Sequence, residues 1–379
     1  MIVRSLRIRA LRAHTDTSIT FAPKVNVFHG PNGAGKTNIL EAVHYLCLSK
    51  SFTTSNDNDV LRRGCEHLEV TGLFSSDGRR DVTVRIVFVP RQGKRIFVNG
   101  APLARKTEIV GRLPVVVFSQ ADHALTAGSP EERRRFLNNI LCQERPVYMD
   151  DLLSYRRTLR QRNELLAKMR KSPAASDAAL LASWNARLIA VGSRVVAARQ
   201  RFLGEFAEFL ETAYREIDEI GERPSIDYLG IVHSNADKND VESAFRQRLD
   251  GTTRREQAIG RTLVGPHRDD LIFRINGFKV RRYASQGQHR TFGMAVKLAQ
   301  YAYLQDRLSE APILMLDDVF DPLDARRRDA FLKLLQSPKV GQTLITGADA
   351  GIFEQRVPFA NLEHSLQKVE AGSVSQSSG

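Results

Sequence analysis

The sequence has 379 residues, with 56 Lys+Arg against 43 Asp+Glu, and a formal net charge of +13. With 42% hydrophobic residues the chain can bury a sizeable core, and its basic excess indicates a polyanionic partner, either nucleic acid or an acidic membrane surface. The longest apolar runs, at 114–118 and 311–316, are too short to span a bilayer, and three widely spaced cysteines exclude a disulfide framework and a zinc site.

Arginines interrupt the first apolar run, so we expect no secretory signal and a cytoplasmic protein without a membrane partner. The first third alternates apolar and polar side chains, which predicts β-structure, and an Asn99-Gly100 pair predicts a hairpin turn. The predicted strands of this third are 2–9, 18–21, 24–28, 68–74, 82–89, 95–98 and 113–118.

The middle third changes to helical periodicity. Ser129-Pro130 predicts a helix start, and apolar residues then recur at coiled-coil spacing from Leu152 to Met169 and from Trp184 to Phe209. The turn predicted at 172–177 makes these two helices antiparallel, with about 20–25 residues each. They form either a projecting arm or part of an ordinary bundle, and the sequence leaves both open.

The last third returns to alternating strands and helices. We predict strands at 311–316 and 342–346, a helix at 288–307, and a stretch at 263–275 that leads into an Asn276-Gly277 turn. The fold class is therefore α/β, a head split in sequence by a helical insertion. Its predicted parts are head residues 1–122, the insertion 123–261, head residues 262–370 and a disordered tail 371–379.

A glycine-rich segment follows the predicted strand at 24–28 and precedes a helix that Asn38 opens. It matches the phosphate-binding pattern GxxxxGK[ST] and reads Gly30-Pro31-Asn32-Gly33-Ala34-Gly35-Lys36-Thr37. The glycines let backbone N–H groups surround phosphates, and the helix N-terminus adds the positive end of its dipole. In this pattern the Lys36 ammonium reaches the β- and γ-phosphates and the Thr37 hydroxyl binds Mg²⁺.

Two carboxylates follow the apolar run at 313–316, as in the strand that completes such nucleotide sites. Asp317 is the predicted Mg²⁺ ligand, and Asp318 the group that polarises the attacking water. The alternative is a pair of aspartates that cap a strand end.

Ser285-Gln286-Gly287-Gln288 opens the predicted helix before that strand and resembles the signature motif of ABC-type ATPases. A serine hydroxyl, backbone N–H groups and the helix dipole would meet an anion there. In that superfamily the signature of one subunit closes over the nucleotide of its partner. The resemblance therefore implies an ATP-sandwiched homodimer held by Ser285, Gly287 and Gln288, whereas the alternative is a capped surface helix.

Together with Gly265-Pro266-His267-Arg268-Asp269-Asp270, these segments resemble the RecF family of ABC/SMC-type ATPases over all but the tail. The resemblance implies an ABC-type ATPase head that binds ATP and Mg²⁺ and double-stranded or gapped DNA. It also implies that RecO and RecR are partners and that RecA is loaded at gaps, with a link to the SOS response. Hydrolysis is expected to be slow, stimulated by DNA, and used as a switch.

Three segments depart from the family pattern. Gln120 is the chemically natural residue of the Q-loop, which couples the γ-phosphate to the helical lobe, but Ala121 stands where the family has Glu. In the D-loop, Asp324 keeps its place while Pro322 stiffens the loop. No switch histidine follows the strand at 342–346, which argues for inefficient hydrolysis rather than against binding.

The cationic residues suggest two places for DNA. Arg4, Arg7, Arg9 and Arg12 fall largely on one face of the first strand region, and the predicted DNA contacts on the outgoing helix are Arg156, Arg157 and Arg160. Aromatic residues are sparse, so contacts to the backbone of duplex DNA fit better than base stacking.

The segment at 265–270 has two interpretations. Arg268 contacts a phosphate while Asp269 and Asp270 restrain it, or the segment is a turn that joins the insertion to a sheet. For the whole chain the alternatives are the nucleotide-binding subunit of a membrane transporter and a structural tether between DNA ends.

Overall fold

The computed structural model describes residues 1–76, 80–172, 174, 176–217, 221–232, 238–320 and 325–376. The elements of the first third are β1 (Ile2–Leu11), β2 (His14–Thr20), β3 (Val25–His29), α1 (Lys36–Leu48), β4 (Leu68–Ser75), β5 (Val82–Val89), β6 (Gly93–Val98), β7 (Ala101–Pro102) and β8 (Val115–Ser119). Those of the middle are α2 (His123–Ala127), α3 (Pro130–Glu144), α4 (Pro146–Lys171), α5 (Asp177–Ile217), β9 (Pro224–Leu229), α6 (Lys238–Ile259), β10 (Asp270–Ile275), β11 (Phe278–Lys279), α7 (Val280–Tyr283) and α8 (Gln286–Leu308). The last are β12 (Ile313–Asp317), α9 (Ala325–Leu335), β13 (Thr343–Gly347), α10 (Gly351–Glu354), β14 (His364–Glu370) and β15 (Ser373–Gln376).

Contacts divide the chain into two units. The first unit contains Met1–Asp122 and Gln300–Gly379, and the second contains His123–Ala299. The return to the head thus falls after residue 299, whereas the sequence-based division places it after residue 261. The signature segment and the motif at 265–270 consequently belong to the second unit.

An antiparallel sheet with the order β2-β1-β4-β5-β6-β7 covers one side of the first unit. In β1 the buried side chains Leu6 and Ile8 alternate with Arg7 and Arg9 on the outer face, the period of two that a half-buried strand requires. Asn99 and Gly100 both have positive φ and form the hairpin turn that the sequence predicts.

The second sheet of this unit is mostly parallel, with the order β15-β14-β3-β13-β12-β8. Its inner strands are apolar runs buried on both faces, as in β12 and β13. Helix α1 is buried along most of its length, and its apolar side chains join residues of both sheets in one hydrophobic core. The parallel sheet therefore presents the carboxyl ends of β3, β8, β12 and β13 at a common edge, next to the start of α1.

The predicted disordered tail is instead partly a strand. β15 pairs antiparallel with β14, and the turn between them contains Ala371 and Gly372, both with positive φ. Val374 packs against the core, and the Gly372 N–H donates to Ala34 O at 2.9 Å. The tail's small polar residues predict disorder, but its strand is held by contacts with parts of the chain that are distant in sequence. Residues 377–379 lie outside the described part of the chain.

The second unit is a helical bundle with a small sheet. Helices α4 and α5 pack together as predicted, but α5 has 41 residues, about 60 Å, and is much longer than the sequence suggests. Helix α6 packs against both of them, and its buried Phe245 closes on Gly192 of α5. A three-helix bundle of α4, α5 and α6, rather than a bare two-helix arm, is therefore present within the second unit.

A fully buried ion pair ties this bundle together. The Arg162 guanidinium of α4 donates to Glu256 of α6 at 2.6 Å, to Asn185 of α5 at 2.8 Å and to Thr262 at 2.7 Å. The small sheet has the order β11-β10-β9, and the predicted Asn276-Gly277 turn joins β10 to β11. In the described ranges, none of the helices is both long enough and apolar enough to cross a membrane.

Candidate functional site

The glycine-rich loop lies between β3 and α1, as its sequence pattern predicts. Gly30, Gly33 and Gly35 all have positive φ, so residues with side chains would be strained at these positions. Gly35 is the N-cap of α1, no side chain caps the helix, and its first turn contains no acidic residue. The N-terminal N–H groups of α1 therefore remain available for an anion.

Lys36 is 4% exposed, and its ammonium is held by the loop itself. The Nζ atom donates to Gly30 O at 2.9 Å and to Pro31 O at 3.1 Å. Carbonyl oxygens are weaker partners for an ammonium than phosphate oxygens are. The ammonium is thus kept inside the loop, where a polyphosphate would replace the carbonyl contacts.

Asp317 ends β12 and faces two hydroxyl groups. Thr37 Oγ1 and Thr346 Oγ1 each donate to Asp317 Oδ1 at 2.8 Å. Burial raises the pKa of Asp317, while these two hydrogen bonds act in the opposite direction. Thr37 and Asp317, the predicted Mg²⁺ ligands, are therefore in direct contact.

Asp318 and Gln120 lie at the same edge of the parallel sheet. Asp318 has a φ of 50°, an uncommon conformation for a residue with a side chain, and its N–H donates to Thr346 Oγ1 at 3.0 Å. The Gln120 amide donates to Asp318 O at 3.3 Å, so Gln120 reaches the end of β12. Backbone strain of this kind is concentrated at functional sites.

The strand register explains why these residues meet. Asp317 is paired with Ser119 of β8 on one side and with Thr346 of β13 on the other, and Gly347 is paired with His29 at the end of β3. In parallel sheets such a common carboxyl edge is where ligands bind. The structure thus brings together the glycine-rich loop, both aspartates and Gln120.

The residues at this edge fit a magnesium–nucleoside triphosphate. Backbone N–H groups and Lys36 match the phosphates, and Mg²⁺ prefers hard oxygen ligands such as the Thr37 hydroxyl and the Asp317 carboxylate. Nowhere in the described part of the chain do three His, Cys, Asp or Glu side chains form a metal-binding group. Two protein ligands are nonetheless the usual number where phosphate oxygens and waters complete the Mg²⁺ shell.

The signature segment lies at the N-terminus of α8 in the second unit. The Gln288 N–H donates to Ser285 Oγ at 3.2 Å, and the Gln288 side chain accepts from the Ser285 N–H at 2.8 Å, which is a capping box. Gln288 also donates to Glu222 at 2.7 Å. Ser285 and Gln286 are exposed, so the hydroxyl that caps the helix is also open to an external anion.

The predicted cationic residues divide into two groups. Arg156, Arg157 and Arg160 are exposed on α4 and make no ion pair with any described residue. The arginines of the first strand region are each paired: Arg4 with Ser75, Arg7 and Arg9 with Asp16, and Arg12 with Glu41. Asp16 of β2 and Glu41 of α1 thus supply carboxylates to three of these arginines, and the Ser75 hydroxyl of β4 binds Arg4.

The structure places two further groups at the loop that the motifs do not indicate. Thr346 bridges Asp317 and Asp318, and a hydroxyl at the end of the strand after the aspartates is the only sequence signal for it. His14 is fully buried, and its imidazole contacts Gly35 O. Asp324 of the predicted D-loop lies outside the described residues.

Comparison with known proteins places this geometry in a family. A family model described as RecF/RecN/SMC N terminal domain matches residues 2–370. The DNA replication and repair protein RecF of Salinibacter ruber is 50% identical over 374 residues, which cover 98% of this chain and 91% of that protein. The protein of the same name from Chloroherpeton thalassium is 41% identical, with 97% and 99% covered.

Solved structures agree. The recombination mediator protein RecF-ATPrS in the RecFOR pathway has a TM-score of 0.91 and 29% identity, with 100% of this chain and 98% of that chain covered. An Smc head domain derived from Pyrococcus furiosus, bound to the C-terminal domain of ScpA, has a TM-score of 0.56 and 15% identity over 98% and 94%, and supports the fold alone.

The fold is therefore that of an ABC-type ATPase head with a helical insertion, which confirms the predicted fold class. The chain belongs to the RecF family, as its motifs predict.

Proposed function

We propose that this chain is an ATP-dependent DNA-binding protein of recombinational gap repair and replication-fork maintenance. Its ATP-bound homodimer clamps duplex DNA near single-strand gaps in the cytoplasm and, with RecO and RecR, promotes RecA loading and SOS induction. The observation that carries the proposal is the contact of Thr37 with Asp317 beside the glycine-rich loop. A neutral hydroxyl, a carboxylate and an enclosed ammonium are there within reach of one phosphate-binding loop.

In this proposal the nucleotide is bound by the loop and by the first turn of α1. When bound, Mg²⁺ would neutralise phosphate charge, and the Thr37 hydroxyl and the Asp317 carboxylate would hold it. Lys36 exchanges the carbonyls of Gly30 and Pro31 for phosphate oxygens, and Asn38 lies one residue beyond the motif on the same helix turn.

Hydrolysis is assigned to Asp318, with Gln120 next to it. The carboxylate of Asp318 orients and polarises the attacking water, and Gln120, bonded to the Asp318 carbonyl, links that residue to the strand β8 edge. No switch histidine follows the strand that ends near Thr346. The hydroxyl of Thr346 contacts Asp318 instead, and it cannot take up a proton as an imidazole can. Slow turnover that resets the protein, rather than fuels it, follows from this arrangement.

Dimerisation is assigned to the signature segment and to Asp324. The exposed Ser285 hydroxyl and the N–H groups at the start of α8, including that of Gly287, would bind the nucleotide of a second copy. The capping box of Ser285 and Gln288 holds this helix end in shape before any partner arrives.

Sedimentation velocity with and without ATP and a gapped duplex tests the proposal as a whole. We expect a monomer that becomes a dimer with MgATP, and a dimer–DNA complex when the gapped duplex is added. In Ser285→Arg the dimer should be lost while ATP binding by the monomer stays intact. ATP-dependent dimers of Ser285→Arg, measured by light scattering with a slowly hydrolysed analogue, would refute the role of the signature.

Duplex DNA is assigned to the exposed face of α4. Reversing Arg156, Arg157 and Arg160 to Glu should weaken binding and reduce the dependence of affinity on salt by about three phosphate contacts. Reversing Arg7 and Arg9, which are already paired with Asp16, is the matched control and should change the salt slope less. An unaltered slope in the α4 variant would remove α4 from the DNA interface.

A further inference from the structure

The glycine-rich phosphate loop, residues 30–37, packs against a part of the chain that contains none of the nucleotide-binding motifs. The turn between β14 and β15 lies directly against it: the Gly372 N–H donates to Ala34 O at 2.9 Å. At the start of the loop, a Cβ added to Gly30 would lie 2.2 Å from Val369 O, so β14 also runs against the loop there. The last strands of the chain thus contact the loop at both of its ends.

His14 makes the second contact on the same side. Its ring lies between two backbone carbonyls, with Nε2 3.1 Å from Gly35 O and Nδ1 2.9 Å from Gly372 O. Thr17, three residues further along β2, donates its hydroxyl to Gly372 O at 2.8 Å. His14 is 0% exposed and Thr17 is 7% exposed, so these are buried contacts and not a surface arrangement.

A neutral imidazole has one N–H and therefore donates to only one of these two carbonyls. Burial lowers the pKa of His14, and the nearby Arg62 acts in the same direction, so the imidazole is uncharged at neutral pH. In the tautomer protonated on Nε2, the ring donates to Gly35 O and Nδ1 is an acceptor, so Gly372 O receives its side-chain hydrogen bond from the Thr17 hydroxyl alone. The two side chains together therefore hold the loop and the C-terminal turn.

The direction of these bonds matters because a peptide unit is planar and trans. Its C=O and N–H point in opposite directions, so fixing a carbonyl on one side aims the next N–H at the other side. Ala34 O is bound by Gly372, which turns the Gly35 N–H away from the C-terminal turn. Gly35 O is bound by His14 as well as by the Asn38 N–H of the helix, which likewise directs the Lys36 N–H.

We propose that His14, Thr17 and the Ala371–Gly372 turn are positioning groups for the phosphate loop. They hold the carbonyls of Ala34 and Gly35 on the rear side and thereby keep the N–H groups of Gly35 and Lys36 aimed at the phosphates. The inference rests on the proposed function, since it assumes that the loop binds a nucleotide. It assigns a nucleotide-binding role to a C-terminal hairpin whose sequence is small and polar.

The test compares three variants of the full-length chain with a matched control. His14→Phe keeps a buried aromatic ring without its nitrogens, Thr17→Val removes one hydroxyl, and the third combines them. His44→Phe is the control, because His44 is also buried and contacts the Lys50 carbonyl at 2.7 Å, beyond the far end of α1. The dissociation constants for MgATP and MgADP, the turnover at saturating ATP and the melting temperature without nucleotide are measured for each.

We expect His14→Phe and Thr17→Val each to raise the dissociation constants of MgATP and MgADP by the same factor. That factor should be about 3- to 10-fold, which corresponds to the loss of a typical hydrogen bond. Turnover at saturating ATP should be little changed, because Asp318 and Gln120 are not touched. The double variant should lose less than the product of the single losses, because Thr17 Oγ1 lies 3.1 Å from His14 Nδ1 and the two side chains are not independent. His44→Phe should lower the melting temperature without changing either dissociation constant.

Two results would overturn the proposal. One is wild-type nucleotide affinity in both Thr17→Val and His14→Phe; should His14→Phe not fold, Thr17→Val alone decides. The other is a His44→Phe control that loses affinity as much as they do at an equal loss of melting temperature. The failure of the proposed function has a different signature: Lys36→Met would then retain wild-type ATP affinity, or the wild type would bind no ATP, and the positioning role would fall with it.

Discussion

Two pairs of adjacent aspartates in this chain have opposite surroundings. In the second unit, Asp269 is 3% exposed and accepts from Arg199 at 2.9 Å, and Asp270 is bound by both ends of the Arg133 guanidinium at 2.7 and 3.0 Å. In the first unit, Asp317 and Asp318 face the hydroxyl of Thr346, and no described arginine or lysine forms an ion pair with either.

The first pair is saturated by protein donors. Arg199, itself 2% exposed, also donates to Pro266 O at 2.7 Å and to Asn138 at 3.0 Å, so its guanidinium is fully used. Arg268, in contrast, is exposed and pairs with neither aspartate. Of the two interpretations of the segment at 265–270, the structural one therefore describes Asp269 and Asp270, which pin helices α3 and α5 to β10.

The second pair keeps its acceptor positions for something else. Carboxylates bound only by hydroxyl groups retain lone pairs that a metal ion or a water can use. The comparison shows that adjacent aspartates in sequence do not define a site; what defines it is whether the fold has already consumed their acceptor capacity. The saturated pair should control the stability of its unit, and the open pair should control nucleotide chemistry.

The largest effect is expected from Arg199→Met. It leaves Asp269 buried without its cation, and the free energy of unfolding of the second unit should fall by about 3–5 kcal/mol. Urea denaturation measures this. Arg194→Met breaks the exposed pair with Asp151 and should cost about 1 kcal/mol or less. Equal losses in the two variants would contradict the distinction between saturated and surface pairs.

Lys36→Met should give the reverse pattern. It removes the ammonium from the phosphate loop, so MgATP affinity should fall at least about 100-fold, or about 3 kcal/mol. Stability should change little, because the partners it leaves are only the carbonyls of Gly30 and Pro31. Isothermal titration with ATP checks the first part, and unchanged affinity would refute the assignment of the loop.

Asp318→Asn and Asp270→Asn compare the two pairs directly with the same isosteric change. Asp318→Asn should retain ATP binding and accumulate dimers, while steady-state turnover falls roughly 100-fold because the water loses its base. Asp270→Asn should leave turnover intact and cost about 1–3 kcal/mol of stability, because Arg133 loses a charged partner. Normal turnover in Asp318→Asn would show that its carboxylate is not catalytic.

The sequence predicts most of the head because local patterns there agree with the fold. The apolar runs of β12 and β13, the glycines before Lys36 and the period-two pattern of β1 each specify their own structure. The residues of the loop and the two aspartates meet because parallel strands end at one edge, which strand order alone implies.

The remaining features depend on contacts between distant residues. The C-terminal strands, His14 at the loop and the pairing of Arg12 with Glu41 have no local signal, since each partner lies far away in sequence. The full length of α5 is also not predicted. Its packing against α6, which is distant in sequence, helps to stabilise it, and no local pattern indicates that contact. Burial and pairing, not propensity, decide these parts.

The smallest effect concerns the histidine beside the saturated pair. Tyr155 OH lies 2.6 Å from His267 Nδ1, and burial, helped by Arg268, Arg134 and Arg162, lowers the pKa of His267 to about 4. Because the unfolded chain then binds a proton near pH 6.5 that the folded chain refuses, stability is fully present above pH 6.5 and is lost as the pH falls toward 4, by about 2 kcal/mol. Subtracting the pH profile of His267→Gln isolates this term from the carboxylates, since glutamine does not titrate. A difference curve that is flat between pH 6.5 and 4.5 would mean that His267 is protonated as readily in the folded chain as in the unfolded one. The expected result is a sloping difference curve, together with an ATP affinity that depends on pH in the same way in the wild type and in His267→Gln. That result would place His267, with Asp269 and Asp270, among the groups that stabilise the second unit.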